Sequence, residues 1–420
     1  MTTSLTELFK VFLKIGMLSF GGPAAQIALM HRVLVDERKW LSEQQYLNAL
    51  SFCMLLPGPE AMQLATFSGW RLHGLVGGLI AGLLFVIPGA LVIFALAMFY
   101  ITFGDVPLVS TLFLGVQAVA VVIVIEALLR VSRRALEGRS HWALAALAFV
   151  GLFFFAVPFP IIILAAGLYG ALAARGVATD AAPLPVVSWR RTGLTILLGL
   201  LIWGLPVLAL DLVFGGTILT EIGLFFSKLA VVTFGGAYAV LAYMAQEVVA
   251  DYGWLSATEM MDGLGLAETT PGPLILVTQF VGTLAAFRDG GYGLAVAGGL
   301  VTLWVAFVPC FLWIFAGAPY LDWISAQPRL SGALRAITAA VVGVILNLSL
   351  WFAMHVVFAS VMQVSSGPVT LWRPEVATVR WEALVLIALA AVLLLRAHLG
   401  IGWALVISAA AAWGLSFIPM

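Results

Sequence analysis

Long apolar runs with no two-residue alternation fill most of the chain, and charged positions are confined to short stretches between them. Runs of this length predict helices sized for a bilayer, over about 75–101, 108–129, 142–157, 161–174, 192–214, 292–316, 333–358, 383–395 and 401–418. Other apolar stretches are cut short by glycine and proline. Residues 5–20 reach only about 24 Å at ~1.5 Å per residue, less than the ~30 Å hydrocarbon core. Gly21-Gly22-Pro23 ends that segment, and a helical pattern resumes at Ala24. Ser42 reads as an N-cap with Gln45 at the capping-box position, and the helix it opens runs to Leu55. Pro57-Gly58-Pro59 breaks the pattern again before Glu60–Arg71. Pieces too short to span alone, paired about Gly/Pro breaks, are the mark of discontinuous or re-entrant helices.

The chain writes this arrangement twice. Residues 20–59 align without a gap on residues 234–273, with Phe20 on Phe234, Gly21-Gly22 on Gly235-Gly236, Trp40-Leu41-Ser42 on Trp254-Leu255-Ser256 and Pro57-Gly58-Pro59 on Pro271-Gly272-Pro273. Lys14 and Lys228 extend the register upstream, so the protein reads as two copies of one unit. Each copy crosses an even number of times, and the helix at 192–214 turns the second copy over. Basic residues agree: with the Arg130–Arg139 loop cytoplasmic, the 175–191 linker, Arg71, Arg329, Arg335 and Arg396 fall on the same side. These features predict an all-α polytopic membrane protein of two inverted-topology repeats, residues 1–175 and 215–420. A linker and inverting transmembrane helix at 176–214 join them, and paired broken or re-entrant helices meet near the bilayer midplane. The charge of the two intervening turns favours re-entry over full crossing, with the N-terminus cytoplasmic.

Composition removes the soluble classes. With 63% hydrophobic and 10% charged residues and a mean hydropathy of +1.12, the chain cannot be a water-soluble globule. A formal net charge of zero offers no footprint for nucleic acid. Cys53 and Cys310 lie in apolar stretches at non-equivalent positions, so neither a disulfide framework nor a metal cluster is expected. The N-terminus has no basic n-region or small-residue cleavage site and reads as mature sequence. No Walker loop, nucleophile elbow or dinucleotide fingerprint occurs, so an enzyme is not expected and no cofactor is called for.

The candidate chemistry lies at the breaks. A break frees backbone amides at the start of the next half-helix, where the macrodipole adds partial positive charge. Four such starts, after Gly21-Gly22, Pro57-Gly58-Pro59, Gly235-Gly236 and Pro271-Gly272-Pro273, would make an anion site; kinks in packed helices are the plainer reading. Lys14 and Lys228 either hold the anion, at ~2.5–3.5 kcal/mol for a lysine at the bilayer centre, or snorkel to an interface. Gln63, Thr278 and Gln279 are placed to hydrogen-bond an oxyanion from the turn after each Pro-Gly-Pro, or to bridge helices. Glu60 and Glu268 are carboxyls in apolar surroundings, where desolvation penalises charge, which suits a proton carrier. Glu60 also suits the dipole of a helix start. His31 reads as structural, and Trp203, Trp304 and Trp313 as anchors and packing.

At these residues the chain resembles the chromate ion transporter family in its long, two-domain form. The resemblance is carried by Phe20-Gly21-Gly22-Pro23, Trp40-Leu41, Pro57-Gly58-Pro59-Glu60-Ala61 and Gln63-Leu64-Ala65, then Phe234-Gly235-Gly236, Gly253-Trp254 and Thr270-Pro271-Gly272-Pro273. It implies a secondary carrier of the bacterial inner membrane that exports chromate using the proton gradient. The implied partners are chromate or a similar tetrahedral oxyanion, protons and the lipid bilayer, and the reading admits a homodimer. Gln26 stands where family members often have His, and Cys310 follows Pro309 where Gly is common; both bear on substrate preference. The alternatives are a carrier for sulfate or another oxyanion, an import direction, an anion channel, or an embedded enzyme acting on an anionic lipid head group.

Overall fold

The computed structural model describes residues 3–104, 106–174, 188–234 and 236–417. Most of the expected linker and Gly235 lie outside these. The helices are α1 (Leu5–Leu18), α2 (Gly22–His31), α3 (Glu43–Leu55), α4 (Glu60–Phe103), α5 (Pro107–Ala135), α6 (Arg139–Phe155), α7 (Phe159–Ala173) and α8 (Trp189–Phe214). The second half adds α9 (Ile218–Val232), α10 (Ala237–Gln246), α11 (Ala257–Thr269), α12 (Val277–Gly317), α13 (Leu321–Ser325), α14 (Pro328–Val357), α15 (Trp381–Ala391) and α16 (Ile401–Leu415). Among the described residues, five helical stretches are long and apolar enough to cross a membrane. With the shorter apolar helices they make a helical, polytopic membrane protein.

The repeat seen in the sequence is repeated in detail. Ser42 and Gln45 close a capping box on α3, and Ser256 and Glu259 form the same reciprocal pair at the start of α11. Both α2 and α10 leave through a π-helical turn, Arg32–Glu37 and Glu247–Asp251. Both long helices after the Pro-Gly-Pro breaks fold back on themselves. The backbone reverses at His73-Gly74 in α4 and at Gly290-Gly291 in α12, where Gly74 and Gly291 take φ of 60° and 75°. The returning arms pack closely: a Cβ on Gly69 would stand 2.2 Å from the Gly77 carbonyl oxygen, and one on Gly298 2.4 Å from that of Gly282. The second copy differs by a 3₁₀ turn, Leu274–Leu276, inserted before α12 starts at Val277. The half-helix expected to begin at Leu274 therefore starts three residues later.

The chain forms two compact units. One comprises Met1–Ala97, Ala171–Ala237 and Thr270–Gly332; the other Met98–Gly170, Tyr238–Thr269 and Ala333–Met420. Each unit draws on both repeats. In the first, the buried face of α1 is Leu8, Val11, Phe12 and Ile15, and α9 repeats it with Ile222, Phe225, Phe226 and Leu229. Helix α8 is mostly exposed along its apolar length, and two reciprocal indole bonds pin it to α12. Trp203 Nε1–H donates to the Val305 carbonyl at 3.0 Å and Trp304 Nε1–H to that of Ile202 at 3.1 Å. In the second unit, α5 lies against α11, α15 and α16, with Val119, Ile123, Ala390 and Ala404 among the buried contacts.

An antiparallel hairpin, β1 (Val361–Ser366) and β2 (Val369–Pro374), interrupts the helical pattern after α14. The apolar pattern did not predict it. Gly367, at φ 60°, sits in its turn. Open strand edges are not tolerated in hydrocarbon, so the hairpin marks an aqueous end of α14.

The close arm packing makes a prediction of opposite signs. Gly→Ala in an open helix position stabilises by up to ~1 kcal/mol, whereas overpacking against backbone costs about 1–3 kcal/mol. Gly204→Ala, where nothing lies within 4 Å of the added carbon, should raise the melting temperature in detergent or leave it unchanged. Gly69→Ala and Gly298→Ala should lower it. Equal shifts in all three would contradict the packing.

Candidate functional site

The site is built from four breaks, all within the first unit. Helix α1 ends at Ser19, whose hydroxyl donates to the Ile15 carbonyl at 2.6 Å. At the end of α9 the Thr233 hydroxyl donates to Leu229, the residue equivalent to Ile15. The main-chain carbonyls of Ser19 and Thr233, left over at these helix ends, are both taken by the opposite copy. Gly58 N–H donates to Thr233 O, and Gly272 N–H donates to Ser19 O, each at 2.9 Å. The two Pro-Gly-Pro turns thus exchange equivalent hydrogen bonds, an isologous arrangement of the kind a two-fold axis produces.

Glycine is required in both turns. Gly58 has φ 118° and Gly272 φ 90°, in the left-handed region. A Cβ at Gly58 would also lie 2.8 Å from Gln63 Nε2 and 2.9 Å from Cys310 Sγ. Gln63 holds its own turn, donating to the Pro57 carbonyl at 2.7 Å.

Around this exchange lies a narrow pocket lined by Pro23 and Gln26 of α2, Pro59, Glu60 and Ala61 at the start of α4, Ala237 at the start of α10, and Pro273 and Leu274. All four breaks contribute. It has room for about one water. The pocket is symmetric in origin and asymmetric in chemistry: Pro23, Pro59 and Glu60 of one copy correspond to Ala237, Pro273 and Leu274 of the other. The Glu60 carboxyl faces the third break, with Oε1 3.8 Å from where a Cβ of Gly236 would stand. Gln26 is buried, and its Nε2 donates to Gly272 O at 2.6 Å and Ser19 O at 3.2 Å. Both acceptors are carbonyls, so the amide orientation is fixed and Oε1 is left buried without a partner. Gly21 and Gly22 start α2 with φ 85° and 75°.

Not every sequence candidate reaches this pocket. Lys14 and Lys228 are exposed, on the outward faces of α1 and α9. Thr278 is buried but bonds back to Ile275 O. Gln279 is buried with Oε1 unpaired and does not line the pocket. Glu268 is in the second unit, where it accepts from the Tyr238 hydroxyl at 2.9 Å. His31 is structural: it meets Glu43 at 2.7 Å and Asp36 at 3.5 Å and stands edge-on to Tyr46. Sequence reasoning overlooked Asp262, buried in the second unit. Its signal was an acid inside a half-helix otherwise rich in Gly, Leu and Met.

The family profile described as chromate transporter matches residues 6–171 and 220–415. The chromate transport protein of Pseudomonas aeruginosa is 33% identical over 81% of this chain and 79% of its own length. The probable chromate transport protein of Synechococcus elongatus is 31% identical over 81% and 83%, and the chromate transport protein of Cupriavidus metallidurans 29% over 82% and 81%. No solved structure matches. A profile spanning both copies of the repeat, with relatives of the same two-copy length, shows that this chain belongs to the chromate transporter family.

Proposed function

We propose that the chain is a secondary carrier that exports chromate across the inner membrane, with the dianion held between the four breaks of the first unit. One observation carries this reading: the two Pro-Gly-Pro turns clasp each other's helix ends around a pocket to which every break contributes. The first-turn N–H groups of α2, α4 and α10 have no intrahelical acceptor, and their dipoles favour an anion. At its present size the pocket must widen to admit a tetrahedral oxyanion, which is the motion an alternating-access carrier needs. The isologous exchange supports two inverted repeats. The names of the relatives supply chromate as the substrate.

The driving force follows from charge. A negative-inside potential favours outward movement of an anion by ~2.3 kcal/mol per charge per 100 mV. Proton coupling adds to this when protons move inward as chromate moves out, and the carboxyl candidates are Glu60 and Glu268. Glu60 shares the pocket, where a dianion and an ionised carboxylate repel each other, so Glu60 is protonated when chromate binds. A proton that travels with chromate adds no drive to export, and the exchanged proton is therefore carried outside the pocket. Lys14 and Lys228, on exposed faces, act as interface anchors in this reading and not as ligands.

Two experiments test the proposal. Proteoliposomes should show saturable counterflow of labelled chromate; non-saturable flux without counterflow would mean a channel. In the same assay, with the substrate kept a dianion, repulsion from an ionised Glu60 should make the wild-type Km rise with pH. Glu60→Gln should remove that rise, and an unchanged pH dependence would take Glu60 out of the binding step.

For topology, single cysteines in the 36–40 and 250–254 turns, on a background lacking Cys53 and Cys310, should label from opposite sides of the membrane. Labelling from one side would contradict inversion.

A further inference from the structure

The second unit buries a carboxyl with no role in the pocket. Asp262, in the middle of α11, is 3% exposed. One oxygen, Oδ2, accepts from the Tyr100 hydroxyl at 2.7 Å, and the other, Oδ1, accepts from Gln117 Nε2 of α5 at 2.7 Å. Both donors are neutral, and among the described residues no salt bridge reaches Asp262. Gln117 is itself buried, and its Oε1 has no partner. Phe113 stands edge-on to Tyr100 at 5.2 Å. Below, α11 lies so close to α5 that a Cβ on Gly265 would meet Val116 Cγ1 at 2.3 Å. An ionisable group buried in a membrane without a counter-ion is a functional site by default.

The amide makes the site able to hold either protonation state. With Asp262 ionised, Gln117 donates its N–H to Oδ1, as observed. When a proton adds to Oδ1, the carboxyl becomes a donor; a half-turn of the Gln117 amide then presents Oε1, the buried acceptor now unused, to that O–H. Tyr100 donates to Oδ2 in both states. In each state both carboxyl oxygens of Asp262 are hydrogen-bonded, and the exchange needs one side-chain torsion and no backbone movement.

We propose that Asp262, with Tyr100 and Gln117, is a membrane-embedded proton-binding site of the second unit, separate from the oxyanion pocket. Its use in coupling rests on the carrier reading above; its proton binding does not. An anion carrier that exchanges a proton for its substrate gains from such separation, since the two ions then do not have to share one site. The site belongs to one copy only, because the residue equivalent to Asp262 in the first repeat is Asn48, which accepts from Gln44.

The charged surroundings are sparse. On α11 itself, Glu259 is engaged in the capping box with Ser256, and Glu268 with Tyr238 lies two turns on. Helix α5 carries Glu126 and Arg130, paired with each other and about 13 and 20 Å further along at ~1.5 Å per residue. Helix α16 has no charged residue, and the end of α4 presents Tyr100 alone.

Infrared difference spectra of the purified full-length protein, taken across pH, test the binding. A carbonyl band of a protonated buried carboxyl should grow as pH falls, shift in Gln117→Leu, and disappear in Asp262→Asn while persisting in Glu268→Gln. In proteoliposomes, Asp262→Asn should lose at least tenfold of the chromate flux driven by a pH gradient, with counterflow within about twofold of wild type; Asp262→Glu should recover part of the loss. A band that persists in Asp262→Asn, or pH-driven flux that survives the substitution, would overturn the proposal. If wild-type protein moves no chromate yet the band titrates as described, the carrier reading fails and the proton site stands.

Discussion

Two backbone hydrogen bonds impose the order of the first unit. A helix broken inside a membrane leaves amides and carbonyls that water cannot reach, each costing several kcal/mol if unpaired. Here Gly58 N–H closes on Thr233 and Gly272 N–H on Ser19, so neither copy can satisfy its broken helices alone. The consequence is structural interdependence: the parts of both repeats that carry the breaks lie in one compact unit. The glycines at φ 118° and 90° and the flanking prolines are the residues that let a backbone reach across in this way.

The same constraint explains why the pocket is symmetric in outline and not in chemistry. Hydrogen bonding demands equivalent turns, and Ser19 and Thr233 with their back-bonded hydroxyls meet that demand alike. Nothing demands equivalent side chains around the turns. Glu60 against Leu274, and Gln26 against Val240, put a carboxyl and an amide on one side only. Asp262 against Asn48 repeats this asymmetry in the other unit. Duplication supplied the frame, and the carboxyls of Glu60 and Asp262 each stand in one copy only.

Much of this was legible in the sequence for identifiable reasons. Bilayer-length apolar runs placed α5, α8 and α14 because length and hydropathy act locally. Ser42 with Gln45 announced a cap for the same reason, and the aligned Pro-Gly-Pro triplets announced the breaks. Alignment reports equivalence but not contact, so the exchange between Gly58 and Thr233 was hidden. The reversals at His73-Gly74 and Gly290-Gly291 fall where the predicted segments divide, before the spans at 75 and 292; the packing of the two arms against each other was the part left hidden. The hairpin at 361–374 had a Gly-Pro turn and β-branched flanks, outweighed by the expectation of helix on either side. Lys14 and Lys228 shared a repeat position, and position alone cannot say which face of a helix meets lipid. Asp262 depends on Gln117 and Tyr100, distant in sequence, and burial by distant residues leaves no local mark.

The central claim is that the oxyanion is held where the four breaks meet, and equilibrium binding of labelled chromate to the purified protein tests it most directly. Ala237 opens α10 at the wall of that pocket, and Ala237→Leu fills the space without adding charge. If the account holds, a variant that elutes and melts like wild type loses at least tenfold in chromate affinity. Unchanged affinity in a correctly folded Ala237→Leu protein would place the anion elsewhere.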